Sequence, residues 1–466
     1  MKHVHFIGVC GTAMGAVASA MAKQGYEITG SDANAYPPMS TFLESEGIKI
    51  STGYSEKNIP EDADLIVVGN AISRGNPEAE AVLNRHLRYL SLPETMKEFF
   101  LRGKRNFVVT GTHGKTTTTS MLAWLMEANS LNPSFMIGGI ARNLGRGGRF
   151  TDSDFCVLEG DEYDTAFFDK RSKFLHYLPD VVIINNIEMD HADIYANVDE
   201  IKLSFRRLLR VVPSNGRVFI NADCPNCCEV RELAAKELPM VAITSVGMGE
   251  DADICIANIV HSCKGSTFTL GNEEYVVPMV GDFNVRNAAM AICAAKTAGL
   301  SYEQIRAAML GFEGVARRQE VRGTVNGVTV VDDFAHHPTA VSQAIDSLRQ
   351  RYPEARLWAL FDPRSNTTIR NLFQHELAQS LSKADLAVLS PVSSYKQLPA
   401  EQRLDEEALC AEIQELGTDC YLGKSVDDIV RHVVEHVHPS DVLLIMSNGG
   451  FGGIHSKLLG MLAQHS

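Results

Sequence analysis

Lys115 sits in a stretch, Val108-Val109-Thr110-Gly111-Thr112-His113-Gly114-Lys115-Thr116-Thr117-Thr118-Thr119, whose residue types suit the holding of a polyphosphate. The apolar start reads as a strand, and two glycines let backbone N–H groups turn toward an anion. The segment that follows, with Met121, Leu122, Leu125 and Met126 at helical spacing, presents a helix N-terminus. Lys115 can reach terminal phosphates and the Thr116 hydroxyl suits Mg2+, so Gly111, Thr112, Gly114, Lys115, Thr116 and Thr117 are expected to bind ATP. The pattern G-x-x-x-x-G-K-[ST] asks for glycine at Val109, and here the first glycine is Gly111, so the loop is a shortened variant.

Two more apolar runs end in hard ligands. Phe155-Cys156-Val157-Leu158 leads into Glu159-Gly160-Asp161-Glu162-Tyr163-Asp164, and Val181 to Asn186 leads into Glu188-Met189-Asp190-His191. As parallel strands beside the phosphate loop, they would deliver carboxylates and an imidazole to one edge, a set that suits Mg2+ around a triphosphate. Gly281-Asp282-Phe283-Asn284-Val285-Arg286-Asn287 opens an Ala- and Ile-rich helix, where Asn284 and Asn287 either bond a base or cap the helix.

At the start of the chain His3 to Val9 reads as a strand. Gly8, Cys10, Gly11, Met14 and Gly15 lie on or just after its loop, and Asp32 ends the next strand. That spacing departs from G-x-G-x-x-G but keeps its geometry, a helix N-terminus toward a pyrophosphate and an acid toward a ribose or sugar; NAD is the usual reading. Asn70, Ser73 and Asn76 follow another strand, as crevice contacts or as turn and capping residues. Toward the C-terminus, three strand ends carry Asp332-Asp333-Phe334-Ala335-His336-His337-Pro338, Asp362-Pro363-Arg364-Ser365-Asn366-Thr367 and Ser447-Asn448-Gly449-Gly450-Phe451-Gly452-Gly453-Ile454-His455, which suggests a ligand crevice. His432-Val433-Val434-Glu435-His436 fits H-x-x-E-H, but it sits near a helix end with no third ligand in view, so zinc is not expected.

The elements that must position these groups are those of a multidomain α/β protein, because 466 residues exceed one ordinary core. The expected architecture is three domains: a Rossmann-like N-terminal domain over residues 1–104, a central P-loop mononucleotide-binding domain over 105–318, and a C-terminal Rossmann-like doubly wound domain over 319–466. Residues Gly216 to Pro278 read as short strands and turns forming scaffold. A composition of 45% hydrophobic and 21% charged residues is that of a globular protein, and a net charge of −14 disfavours nucleic acid and acidic lipid as partners. The chain enters a strand at once and has no apolar run of transmembrane length, so no membrane insertion and a cytoplasmic location are expected. Of the ten cysteines only Cys224, Cys227 and Cys228 cluster, and no second C-x-x-C completes a zinc site; scattered reduced thiols are expected.

Taken together, Gly111 to Thr117, Glu159 onward, Asp190-His191, Asn284 to Asn287, Arg317-Arg318 and Asp332 to Pro338 resemble the Mur ligase family along nearly the whole chain. The family adds amino acids or peptides to UDP-N-acetylmuramic acid with ATP and Mg2+. The resemblance implies that the first loop, with Gly8, Cys10, Gly11, Met14, Gly15, Asp32, Asn70 and Ser73, is a UDP-sugar site rather than an NAD site. It also implies that Thr116 and Glu159 hold one Mg2+ and His191 a second. Asn284 and Asn287 would face the adenine, and Arg318 and Asp333 would reach the nucleotide from across a hinge. Lys115, Glu159, His191 and His336 would be the catalytic set, with His336, Arg364, Ser365 and Asn366 placing the amine substrate. Family members that add alanine have an Asp-Glu-Ser-Asp string after the metal glutamate and a His-Arg-Tyr-Ser-Arg-type segment near Arg364. This chain has Gly160 to Lys173 and Phe361-Asp362-Pro363-Arg364-Ser365-Asn366-Thr367 there, similar to the peptide-adding branch. The resemblance therefore implies joining of the tripeptide L-alanyl-γ-D-glutamyl-meso-diaminopimelate to UDP-N-acetylmuramate in peptidoglycan recycling, with L-alanine addition in de novo synthesis as the alternative.

Overall fold

The computed structural model describes residues 2–37, 39–395 and 398–464. The chain divides into two compact units. The first comprises Met1–Glu188, Val198–Ile254 and Met290–Ala308; the second comprises Met189–Asn197, Cys255–Ala289 and Met309–Ser466.

The first unit holds two parallel sheets. In the N-terminal sheet the spatial order is Lys49–Thr52, Glu27–Asp32, His3–Ile7, Leu65–Val68 and Tyr89–Ser91. His3–Ile7 lies at the centre and is buried at every position, which is why it reads as a continuous apolar run rather than an alternating one. Its two histidines are accommodated by sharing the Thr29 hydroxyl, at 3.0 Å from His3 and 2.9 Å from His5. Strand order reverses between His3–Ile7 and Leu65–Val68, where Ile7 pairs with Val68, so the loops beginning at Gly8 and Gly69 leave the sheet side by side. Ligand crevices open at such reversals.

The second sheet runs Ala242–Gly247, Arg217–Asn221, Pro179–Ile184, Arg105–Thr110, Phe155–Glu159 and Ser134–Met136, all parallel, with Gly148–Arg149 antiparallel beyond. The phosphate-loop strand is thus flanked by the strands ending at Glu159 and just before Asn185. Phe107, Val108 and Val109 are at most 1% exposed; burying a side chain of this size contributes roughly 1.5–3 kcal/mol, which holds the strand rigidly beneath its loop. Phe167 and Phe168 pack on the core of the N-terminal sheet, Phe168 edge-on to Tyr89 at 4.8 Å.

In the second unit a six-stranded sheet runs Glu320–Val325, Val328–Asp333, Val442–Met446, Leu357–Phe361, Leu386–Leu389 and Asp419–Leu422, antiparallel in its first pair and parallel after it. Alternation along one strand shows that both faces are covered. Leu357, Ala359 and Phe361 join one apolar core with the helix Pro338–Arg351, while Trp358 and Leu360 join another with Val426–His436. An antiparallel meander of Ile254–Ser262, Gly265–Leu270 and Glu273–Val277 precedes the helix Asp282–Thr297.

Three expectations need correction, and one open alternative closes. The stretch Gly216 to Pro278 contains a 13-residue helix, Pro225–Glu237, which Pro225 starts at its first position and which buries Cys227, Val230 and Ala234 on one face. In the C-terminal sheet the outermost strands, Glu320–Val325 and Asp419–Leu422, were not anticipated, because half-exposed edge strands lack the apolar run that marks the inner ones. Of the two readings open for Asn76, the structure shows the cap: its side chain accepts from the N–H groups of Glu78 (2.9 Å) and Ala79 (3.2 Å). The strand read from Val181 to Asn186 spans Pro179–Ile184, which frees Asn185 and Asn186 for the loop. Within the H-x-x-E-H stretch, His432 stacks on Tyr421 at 3.7 Å and on His436 at 4.4 Å.

Candidate functional site

The phosphate loop is shaped by backbone that only glycine tolerates. Gly111 has φ +127°, and a β-carbon there would stand 2.9 Å from Asn186 N and 3.0 Å from Asn185 N. Gly114, at φ 80°, caps the helix Lys115–Ala128 with no side-chain bond to its first turn. By contrast the helices Pro77–Asn84, Glu406–Glu415 and Val426–His436 are capped by Asn76, Asp405 and Ser425. A helix N-terminus without a side-chain cap is the geometry that suits an anion. Asn186 braces the loop, its Oδ1 accepting from His113 N at 2.7 Å and its backbone carbonyl from Thr112 N at 3.1 Å.

Thr116 Oγ1 donates to Glu159 Oε1 at 2.8 Å, and Glu159 Oε2 accepts from Gly138 N at 2.6 Å. Burial, then the nearby Asp161, raises the Glu159 pKa. A hydroxyl and a carboxylate in contact, the carboxylate destabilised as an anion, fit a divalent cation. Lys115 Nζ donates to Gly111 O at 2.7 Å and to Glu162 Oε2 at 2.9 Å. Burial works against its charge, but Glu162 and Asp161 outweigh that and raise its pKa. Glu162, 2% exposed, was overlooked; the acidic string containing it was legible, but which of its members meets Lys115 was not. Thr117, also on the loop helix, is buried.

The first glycine loop is built similarly. Gly8 has φ 86°, and Gly11 caps the helix Thr12–Lys23 without a side-chain bond. Asp32 Oδ2 accepts from Cys10 N at 2.9 Å, closing the loop against the neighbouring strand. Met14 is buried, and Gly15 stands so close to Met39 that a β-carbon would meet its sulfur at 2.5 Å. Asn70 and Ser73 are exposed beyond the Leu65–Val68 strand.

In the second unit, His191 sits at φ 55° next to Asp190, which is 3% exposed. Asp190 Oδ1 accepts from His191 N at 2.7 Å and from Thr367 Oγ1 at 2.6 Å, while its Oδ2 lies 3.9 Å from the Nε2 atoms of both His191 and His336. Burial pushes its pKa up, but His191, His336 and His337 with the Thr367 hydroxyl prevail and hold it well below the usual carboxylate range. Asp190 was visible only as the neighbour of His191; the fold makes it the hub joining two candidate histidines to the Arg364 turn. Within that turn Ser365 is 8% exposed and bonds Thr368 Oγ1 at 2.8 Å, which braces the turn. Asn366 donates to Asp193 at 2.8 Å, and Arg364 is exposed.

Asn284 is 0% exposed; its Nδ2 donates to Val280 O at 2.9 Å and its Oδ1 has no partner among the described residues. Asn287 is buried one turn on. Asp333 accepts from Ala335 N at 2.7 Å and Gln319 N at 2.8 Å, which fixes the chain around Arg318, itself stacked over Phe334 at 4.6 Å. Burial raises the Asp333 pKa, with Arg318 opposing. Lys202 lies 2.7 Å from both Asp199 and Glu229, an ammonium held by two carboxylates.

Three family models match the chain: "Mur ligase family, catalytic domain" over residues 3–104, "Mur ligase middle domain" over 109–295 and "Mur ligase, glutamate ligase domain" over 317–449. The chain is 40% identical to the UDP-N-acetylmuramate–L-alanyl-γ-D-glutamyl-meso-2,6-diaminoheptandioate ligase of Haemophilus influenzae, covering 99% of both. It is 31% identical to the UDP-N-acetylmuramate–L-alanine ligase of Lachnospira eligens, covering 98% of each. The crystal structure of a murein peptide ligase from Psychrobacter arcticus matches with a TM-score of 0.69 at 36% identity, covering 99% of both chains.

Proposed function

The chain belongs to the Mur ligase family and has its three-domain α/β architecture; from this we propose that it is the ATP-dependent ligase joining L-alanyl-γ-D-glutamyl-meso-diaminopimelate to UDP-N-acetylmuramate. The observation that carries the choice of amine is the contrast in identity, 40% to a tripeptide ligase against 31% to an alanine ligase, each over nearly the whole length.

In this reading the domains are 1–104 for the UDP-sugar, 105–318 for ATP and 319–466 for the amine substrate. A carboxylate is a poor acylating agent. Its oxygen attacks the γ-phosphorus of ATP, the bond to ADP breaks, and an acyl phosphate forms. The free amine of the tripeptide then attacks the acyl carbon, the C–O bond to phosphate breaks, and the nitrogen loses a proton as the amide forms. Lys115 exchanges Glu162 for phosphate oxygens, and the Gly111–Gly114 amides share the transferring charge. Thr116 and Glu159 are the residues that would hold Mg2+, with His191 for a second ion; the metal supplies Lewis-acid stabilisation of phosphate charge. The unpaired Oδ1 of Asn284 matches the donor on the adenine edge, and Arg318, held by Asp333, serves the nucleotide. His336 and Asn366 position the amine, and Arg364 reads a carboxylate because its fork matches carboxylate geometry. Among the described residues no helix is long and apolar enough to cross a membrane. ATP and a UDP-sugar as substrates support a cytoplasmic setting.

The test is product mass after incubation with ATP, Mg2+ and UDP-N-acetylmuramate, once with the tripeptide and once with L-alanine. Product from the tripeptide alone is expected. Product from L-alanine alone overturns the amine assignment, and no ADP release with either overturns the ligase reading.

A further inference from the structure

The Arg364 guanidinium is exposed and makes no hydrogen bond or ion pair with a described residue, yet it is not splayed into solvent. It lies across the glycine-rich turn that follows the strand Val442–Met446: a β-carbon built on Gly449 would stand 2.6 Å from Arg364 Cδ and Nε and 2.9 Å from Cζ. Real side-chain carbons do not approach so closely, so any residue but glycine at 449 displaces the guanidinium.

The turn beneath cannot give way instead. Arg317 Nη2 donates to Ser447 O at 2.7 Å and to Gly449 O at 2.5 Å. Gly449 N donates to Ser447 Oγ at 2.9 Å, Ser447 Oγ donates to the buried Asp362 at 2.8 Å, and the other Asp362 oxygen accepts from Ser390 Oγ at 3.0 Å. One carboxylate thus ties together three strand ends under the arginine. Gly449 does not have the left-handed φ that favours glycine, so its backbone would accept alanine and only the guanidinium demands a bare α-carbon. Gly450 beside it is a natural control: a β-carbon there meets nothing within 4 Å, and its φ is −81°.

We propose that Gly449 is a positioning residue for the amine substrate, the platform that sets where Arg364 meets the carboxylate of the incoming peptide. This rests on the reading of Arg364 as the carboxylate-binding group. Because the displaced atoms are the far end of a flexible side chain, the substitution acts on substrate affinity rather than on folding.

The experiment is a double-mutant cycle with Gly449→Ala and Arg364→Ala, with Gly450→Ala as control, measuring kcat and KM for the tripeptide and for ATP. Gly449→Ala should raise the tripeptide KM ~10- to 100-fold, the loss of a charge-assisted pair, with kcat and the ATP KM within about twofold of the parent. Gly450→Ala should match the parent, and Gly449→Ala should add nothing in the Arg364→Ala background. An unchanged tripeptide KM, an equal loss in Gly450→Ala, or full additivity in the cycle overturns the proposal. If the parent protein uses L-alanine instead, the functional reading fails and the same cycle is run on that carboxylate. A crystal structure of Gly449→Ala with the guanidinium unmoved overturns the proposal whatever the substrate.

Discussion

Asn284→Leu separates ligand binding from folding, because the parent side chain is only half satisfied. Asn284 lies at 0% exposure with Oδ1 unpartnered among the described residues. A buried acceptor without a partner costs about 1–3 kcal/mol, and leucine of similar size removes it. The substitution also removes the Nδ2 bond to Val280 O, a loss of about 1 kcal/mol. It leaves no new orphan, because Val280 O also accepts from Ser347 Oγ at 2.7 Å. The ligand-free variant is therefore expected to be as stable as the parent or more so, by ~0–2 kcal/mol. A base whose exocyclic amine donates to Oδ1 loses its partner instead. That weakens ATP by about 1–3 kcal/mol, or roughly 5- to 150-fold in Kd. Calorimetric titration with a non-hydrolysable ATP analogue gives Kd, and thermal unfolding without nucleotide gives Tm. An unchanged Kd with a lowered Tm would refute the reasoning and make Asn284 purely structural.

Two further outcomes follow from the paired charges. Lys115→Met should reduce ATP-dependent product formation by about 10²–10³-fold or more. It should also destabilise the protein by about 3–5 kcal/mol, because Glu162 stays buried without its counter-charge. Adding Glu162→Gln should restore Tm but not turnover, and restored turnover would sink the phosphate role of Lys115. For Asp190, whose pKa is depressed in the fold, the stabilisation is fully present above the unfolded value of about 3.9 and is lost as pH falls through the lower folded value. Urea midpoints of the parent and Asp190→Asn should therefore differ most near about pH 5, where a carboxylate is ionised and imidazoles ordinarily carry charge, and the gap should shrink as pH falls below about 4. A gap that does not narrow below about pH 4 would mean that Asp190 does not carry this acid-side pH dependence.

The sequence by itself determined which residues could hold phosphate and where they fall along the chain. Gly111 to Thr117 needs only its own order to be read, because a strand, a glycine turn and a helix N-terminus are contiguous and their hydrogen bonds are local. The same holds for Gly8 to Gly15, and for the apolar runs His3–Ile7, Leu357–Phe361 and Val442–Met446, whose burial on both faces removes the alternation of a surface strand. The helix Pro225–Glu237 escaped because its polar face dilutes the apolar signal and only three of its residues are buried. Tertiary structure alone decided which acid of the string after Glu159 pairs with Lys115, that Asp190 gathers His191, His336 and Thr367, that Ser365 turns inward, and that Gly449 underlies Arg364. Spacing along a chain sets distances only within a turn or a strand. Contacts between residues some 50 to 180 positions apart, such as Lys115 with Glu162 or Asp190 with Thr367, depend on sheet register and strand order, which no local pattern encodes.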